Sequence, residues 1–202
     1  MRELLKNTVI LTVITLVAGV LLGFVYEITK DPIAAAEAQE KADACQAVFA
    51  EADSFDTKFQ MPEDSDAVLQ KHHLTEERVD QVIPALDEAG DIIGYVLTVT
   101  TSEGYGGDIT FMVGIRNDGS VNGISMLTIS ETAGLGMNAQ SEEFLSQYAG
   151  KQVDQFVYSK SGASAENEID VITGATITTN AVTNGVNAGL YYFQDVLEED
   201  QS

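Results

Sequence analysis

The chain has 202 residues and a formal net charge of −22 at pH 7, from 32 acidic and 10 basic side chains. A field of this sign repels nucleic acid, so the composition excludes a nucleic-acid-binding role. The one cysteine, Cys45, excludes an intrachain disulfide, and without cysteine clusters iron–sulfur and structural zinc centres are excluded as well. We expect Cys45 to be a small buried apolar residue.

A long uncharged segment, residues 8–26, is rich in Val, Leu and Ile. It approaches the ~20 residues that a helix needs to cross the hydrocarbon core of a membrane. Arg2 and Lys6 precede it, so the positive-inside rule predicts a cytoplasmic N-terminus and an exported main domain. A cleaved signal peptide is the alternative, with small residues at 34–36 as its cleavage site. The apolar run is longer than an ordinary signal sequence, which favours a retained single-pass anchor in the cell membrane.

After the anchor, Asp31 and Pro32 form a helix-start signal. An Ala- and Glu-rich helix should follow to about residue 52. It either packs on the domain or continues from the membrane helix as a stalk. Residues 53–80 are acidic and turn-rich, and we predict an irregular connection with a short helix near residues 67–70.

The adjacent pair His72 and His73 lies in this connection. Neighbouring imidazoles point in different directions on most backbones, and no further ligand cluster is nearby in the sequence. We interpret the pair as solvated, and we predict no metal site in the chain.

The middle of the chain has the β-branched, partly alternating pattern of strands. A turn signal at residues 117–120 predicts a hairpin between the last two, and an antiparallel sheet follows. The glycine-rich stretch 103–107 lacks the Lys-Ser/Thr of a phosphate loop, and we interpret it as a turn. The predicted strands are residues 81–86, 92–101, 109–117 and 121–130.

The last part of the chain is predicted to be mainly helical. A short helix at residues 141–148 should end at Gly150, and a loop at 162–167 should precede one more strand. A final helix, residues 177–197, has an apolar face of Val182, Val186, Phe193, Val196 and Leu197. In it, Gly185 and Gly189 would let the helix approach the sheet closely.

These elements predict an α+β fold, in which an N-terminal transmembrane helix is followed by an exported domain with a twisted antiparallel sheet covered by helices. We divide the chain into an anchor (1–30), a helical and irregular connection (31–80) and a main domain (81–202).

The segment 170–176, Asp-Val-Ile-Thr-Gly-Ala-Thr, combines a strand end, a tight turn and a helix start. Gly174 lets the backbone come close to a ligand, and Thr176 offers an oxygen where free helix amides favour an anion such as phosphate. The alternative is a glycine turn followed by a threonine N-cap with no ligand.

The same segment resembles the attachment motif of the covalent flavin-binding domain family. The resemblance implies that Thr176 carries FMN through a phosphoester, that Thr173, Gly174 and Ala175 form the turn that presents it, and that Asp170 is the acid at the start of the motif.

A second segment, residues 130–137, resembles the Glu-Thr-Pro-Gly-Leu-Gly loop that lies near the flavin in this family, with Ala133 in place of the usual proline. The stretch 103–107 is similar to the family's Gly-Tyr-Gly-Gly loop. The resemblance implies Leu135 and Met137 against the flavin ring and hydroxyls of Thr173, Thr178 or Thr179 on the phosphate or ribityl chain. The full set of expected cofactor-binding residues is Asp170, Thr173, Gly174, Ala175, Thr176, Thr178, Thr179, Glu131, Thr132, Gly134, Leu135, Gly136 and Met137.

No acid–base or nucleophile–histidine constellation appears in the exported part, so we expect an electron relay and no catalytic residues. With its single N-terminal span, the chain resembles the G subunits of Rnf-type complexes, which couple ferredoxin oxidation and NAD reduction to sodium or proton translocation. That resemblance implies partner membrane subunits and a flavin transferase for maturation. The C subunit of sodium-pumping NADH:quinone oxidoreductase is the nearest alternative. A stand-alone extracellular flavoprotein and an anchored non-redox binding domain stay open as well.

Overall fold

The computed structural model describes residues 1–62 and 64–198. These residues fall into two compact units that divide after Lys41, and the larger unit begins at Ala42. The predicted division at residues 30 and 80 stays a prediction.

Helix α1, Arg2–Val48, is a single helix that includes Pro32. The predicted helix start at Asp31 and Pro32 is therefore wrong, and the alternative of a helix continuing from the apolar segment is what forms. A proline removes one backbone donor and strains one turn, and the helix formers on both sides outweigh that cost. The helix is long and apolar enough to cross a membrane, and its most apolar stretch is fully exposed within the structure.

The segment predicted to be irregular holds more regular structure than expected. It contains a short strand β1, Ser54–Phe55, and helix α2, Ser65–Lys71. The Asp64 side chain caps α2 by accepting a hydrogen bond from the Asp66 amide at 3.1 Å. The predicted short helix is thus confirmed but starts two residues earlier.

The main sheet has five antiparallel strands in the order in which they follow along the chain. After β1 come β2 (Glu77–Leu86), β3 (Ile92–Thr101), β4 (Ile109–Arg116) and β5 (Val121–Thr128). The predicted antiparallel sheet is confirmed. Strand β2 starts four residues before its predicted beginning, because its first residues pair with the end of β3.

Beyond the sheet, a 3₁₀ helix at Gly136–Gln140 leads into α3, Glu142–Leu145. The predicted helix at 141–148 is too long, since turns follow α3 and Gly150 adopts a φ of 73°. Strands β6 (Val157–Ser159) and β7 (Glu168–Asp170) form a separate parallel pair. Helix α4, Thr176–Tyr192, continues as a π-helical turn, Phe193–Leu197, close to the predicted 177–197.

Helix α4 packs on one face of the main sheet. A Cβ atom built on Gly185 would be 2.8 Å from Cζ of Phe111, and one on Gly189 would be 2.8 Å from Cγ1 of Val113. Both distances are too short for any side chain, so the two glycines do allow the close approach that the sequence predicted.

The other face of the sheet is covered by the last two turns of α1 and by Phe49, which directly follows the helix. Phe49 is fully buried there, and its ring fills the space left by Gly94 and Gly114. Cys45 is buried in the same cluster, with its sulfur 3.8 Å from that of Met112. The expectation of a small buried apolar cysteine is confirmed.

Candidate functional site

Thr176 is the first residue of α4 and follows the turn that Gly174 makes at a φ of 78°. The N-cap residue is Ala175, which has no capping side chain. The alternative of a threonine N-cap is therefore wrong. Thr176 is half-buried, and within the described residues its hydroxyl forms no hydrogen bond, so this oxygen is available for chemistry.

The start of α4 also offers free amides. The first backbone hydrogen bond of the helix is donated by the Thr179 amide to the Ala175 carbonyl, at 3.0 Å. Among the residues that the structure describes, the amides of residues 176–178 have no backbone acceptor. Such amides, together with the helix dipole, favour an anion such as phosphate beside Thr176.

The loop of residues 130–137 is fixed beside this helix start. The Gly106 amide donates a hydrogen bond to Oε1 of Glu131 at 3.2 Å. A Cβ atom on Gly136 would lie 2.6 Å from both Oε2 of Glu131 and Oγ1 of Thr178, so only glycine fits at that position.

The two sequence motifs meet directly. A Cβ atom on Gly174 would be 2.9 Å from Cδ2 of Leu135, so the leucine side chain lies against the bare backbone of the turn. The expected proximity of the two loops is therefore present in the fold.

A pocket of about 600 Å³ opens between these loops. Its size is within the range of cofactor sites, and its open lining holds the unbonded hydroxyl of Thr176, so the residues present fit a flavin mononucleotide. The residues that line it are Tyr105, Glu131, Thr132, Leu135, Gly136, Gly174, Ala175, Thr176, Ile177 and Thr178.

Three other expected site residues, Gly134, Thr173 and Asp170, line a neighbouring cavity of about 750 Å³ that shares Leu135 with the first. Asp170 also accepts a hydrogen bond from the Ala163 amide and thereby holds the loop before β7. Their contact with a cofactor stays a prediction.

Thr179 and Met137 line neither pocket. The Thr179 hydroxyl donates to the Ala175 carbonyl at 3.0 Å and accepts from the Ile172 amide at 3.1 Å. Because this buried hydroxyl both donates and accepts a hydrogen bond within the turn, it stabilises the turn before Thr176. The structure does not bring it to the pocket.

Two lining residues were missed by the sequence interpretation. Tyr105 is 72% exposed at the tip of the glycine-rich loop, and Ile177 is 54% exposed on the first turn of α4. An aromatic residue between glycines is a signal that could have identified Tyr105. For Ile177 the signal was its position directly after the attachment motif.

His72 is not solvated as predicted. Its Nε2 atom lies 3.1 Å from a carboxylate oxygen of Asp195, and its ring stacks on Tyr191 with centroids 3.9 Å apart. In the described part of the chain, no group of three or more His, Cys, Asp or Glu side chains could hold a metal ion.

Comparisons with known proteins show which class of domain holds this pocket. Residues 104–191 match the family model of the FMN-binding domain, and residues 1–48 match that of the RnfG N-terminal region.

Among curated proteins, the G subunit of the Na(+)-translocating ferredoxin:NAD(+) oxidoreductase complex of Acetobacterium woodii is 37% identical over 109 residues. That match covers 53% of this chain and spans about half, 52%, of the relative. The G subunit of the proton-translocating complex of Clostridium ljungdahlii is 33% identical over 176 residues, which are 87% of this chain and 84% of the relative. The G subunit of the ion-translocating oxidoreductase complex of Methanosarcina acetivorans is 27% identical over 95% of both chains.

The chain therefore belongs to the family of G subunits of ion-translocating oxidoreductase complexes. Solved structures with some likeness include NqrC of Shewanella oneidensis, with a TM-score of 0.48 and 22% identity over 56% of this chain and 57% of that one. The C subunit of the Na(+)-translocating NADH-quinone reductase of Parabacteroides distasonis has a TM-score of 0.49 and 19% identity over 71% and 76%.

Proposed function

We propose that this protein is the membrane-anchored, FMN-carrying electron-transfer subunit of an Rnf-type ion-translocating ferredoxin:NAD oxidoreductase, and that the FMN is bonded covalently to Thr176. The observation that carries the proposal is the combination, at one helix start, of an unbonded threonine hydroxyl, free amides and a pocket of about 600 Å³. A bound flavin supplies one- and two-electron redox chemistry, so the chain itself has only to hold and orient it.

The phosphate belongs at the N-terminus of α4, since a phosphoester on Oγ1 of Thr176 lies beside the free amides of residues 176–178. Leu135, Tyr105 and Ile177, which line the pocket, would hold the isoalloxazine ring. These are apolar or aromatic side chains that are 42%, 72% and 54% exposed, and covering them offsets the cost of ordering the ring.

No general base accompanies Thr176 in the described residues that line the pocket, apart from Glu131, which is already bonded to the Gly106 amide. Attachment by a separate flavin transferase is therefore part of the proposal. The relatives' place in multi-subunit complexes supports partner membrane subunits that deliver and accept the electrons. Arg2 and Lys6 ahead of the apolar helix support a cytoplasmic N-terminus and a domain on the outer side.

The attachment is tested by expressing the full chain with a flavin transferase and separating it on a denaturing gel. A phosphoester does not depend on the fold, so the wild-type protein should give a fluorescent band that Thr176→Ala abolishes. Thr57→Ala, which removes an exposed hydroxyl that lines neither cavity, is the matched control and should keep the band. A band that persists in Thr176→Ala would contradict the proposal, and a wild-type protein without flavin would favour a non-redox anchored domain.

A further inference from the structure

Two carboxyl groups lie close together at the start of the glycine-rich loop. Glu77, the first residue of β2, is only 5% exposed, and its Oε1 accepts a hydrogen bond from the Thr101 hydroxyl at 3.1 Å. Glu103 lies two residues after β3, and its amide donates a hydrogen bond to the same hydroxyl at 3.3 Å. Both glutamates are thus held at one threonine, and a buried carboxylate beside a second one favours its neutral form.

Glu103 is the half-buried member of the pair, and helix α4 holds its carboxyl group. Its Oε2 accepts hydrogen bonds from the side-chain amides of Asn180 and Asn184, at 3.0 and 2.6 Å. Burial, followed by the negative charge of Glu103, raises the pKa of Glu77 to about 7.

No cation neutralises the pair in the part of the chain that the structure describes. Arg78 on the same strand is bonded to Asp80, at 2.6 Å. The helix packed against the pair contributes only the two neutral asparagines. The other charged groups near it are acidic, and they are Glu76, Asp108 and Glu131. Among the described residues no neighbouring cation offsets a change of charge near the pair, whereas a carboxylate of the pair can bind a proton.

The pair is linked to the flavin pocket by two short routes. Asn180 follows Thr176 by one turn of α4, a rise of ~6 Å, so Glu103 lies close to the attachment residue. From Glu103 the chain continues into the loop whose Tyr105 lines the pocket and whose Gly106 binds Glu131. A charge on the pair and a charge in the pocket, separated by about one or two turns of α4 in a partly buried site, interact appreciably.

We propose that Glu77 and Glu103 form a proton-binding site whose occupancy is coupled to the redox state of the flavin, an inference that rests on the proposed function. When a one-electron donor protein delivers an electron to the pocket, the site gains one negative charge. One proton from solvent then binds Glu77 through the half-buried Glu103, and the pair changes from two negative charges to one. Oxidation reverses both steps and returns the electron to the acceptor and the proton to solvent.

The test is a redox titration of the flavin in the full-length flavinylated protein between pH 5.5 and 9, comparing wild type with Glu77→Gln. Glutamine mimics the protonated acid, because its amide still donates to Glu103 and its carbonyl still accepts from Thr101. The two midpoint potentials should coincide at pH 5.5, where Glu77 of the wild type is protonated. They should separate above pH 7, with the variant more positive, because the wild-type pair then carries one more negative charge.

Glu76→Gln is the matched control, since it removes the same charge one residue earlier from an exposed carboxylate. Its potential should differ from wild type by an amount that does not change around pH 7. If the midpoint potentials of Glu77→Gln and wild type differed by the same amount at every pH from 5.5 to 9, the proposal would be overturned. It would also be overturned if the midpoint potential of Glu76→Gln separated from wild type above pH 7 as much as that of Glu77→Gln.

A second readout needs no flavin. Full-length Thr176→Ala should show an infrared band of a protonated carboxyl group at pH 6 that disappears by pH 8.5 and is missing in the double variant with Glu77→Gln. Absence of this band in the single variant would overturn the proton site whatever the flavin does. If the band is present but wild-type protein carries no flavin, the proton site stands, whereas the coupling and the proposed function both fail.

Discussion

At the scale of single residues, glycines decide where the pocket walls can lie. Gly136 sits where a Cβ atom would be 2.6 Å from oxygens of both Glu131 and Thr178, while Gly174 accommodates the Leu135 side chain. At both points a side chain lies against the bare backbone of a glycine, which leaves the remaining space for a ligand.

We expect Gly136→Ala to destabilise the protein by about 1–3 kcal/mol, because the added methyl group must displace Glu131 or Thr178. Flavin loading should fall as well, since the loop would move relative to Thr176. Unfolding of the full-length protein in detergent, followed by circular dichroism, measures the first effect, and flavin absorbance per chain measures the second.

Gly123→Ala is the control for this change, because its nearest neighbour would be at an ordinary contact distance of 3.5 Å. If Gly136→Ala behaved like this control in both measurements, the tight approach of the loop to α4 would be wrong.

The sequence predicted the turn at Gly174 and the helix start that follows it because a local motif specifies both. It did not identify Tyr105, whose place in the pocket depends on a loop that folds back onto residues 130 and 131. Nor could it find the pair of Glu77 and Glu103, which exists only because the register of β2 and β3 joins Glu77 to Thr101.

At the scale of elements, α4 has two tasks. Its first residue, Thr176, has the hydroxyl that we propose for attachment, and its middle packs on the sheet through Gly185 and Gly189. The position of Thr176 therefore depends on how closely the helix approaches β4.

We expect Gly185→Ala to cost about 1–3 kcal/mol of unfolding free energy, because the new methyl group would lie 2.8 Å from the buried ring of Phe111. Helix propensity alone would favour alanine by about 1 kcal/mol, so a net loss reports overpacking. Gly23→Ala, at a helical glycine with nothing within 4 Å, is the control and should leave the domain's stability unchanged. A stabilised Gly185→Ala protein would contradict the close packing.

Alternating patterns and turn signals were sufficient to predict β3, β4 and β5, because hairpins are local. Strands β1 and β6 were missed, since two or three residues carry no periodic pattern and form only where a partner strand is present. The helix start predicted at Asp31 and Pro32 was wrong, and the alternative of a continuous helix is what forms, because good helix formers lie on both sides of Pro32.

At the scale of the whole molecule, the charge distribution separates an apolar anchor from an acidic domain. Residues 1–30 have a net charge of +1, and the residues beyond them have a net charge of −23. With Arg2 and Lys6 ahead of the apolar segment, we expect the acidic domain to be on the outer side of the membrane.

A protease that cannot cross the membrane should therefore degrade the domain in spheroplasts, while a cytoplasmic marker protein stays intact. Complete protection of the domain in spheroplasts, with degradation only after lysis, would contradict the predicted topology and place the domain in the cytoplasm.

Peptide mass analysis of the natively expressed protein tests most directly whether Thr176 carries the flavin. We expect the peptide containing residues 170–176 to have the added mass of an FMN phosphoester, and we expect fragmentation to assign that mass to Thr176. An unmodified peptide from a protein that still holds flavin, or a modification assigned to Thr173, Thr178 or Thr179, would contradict it.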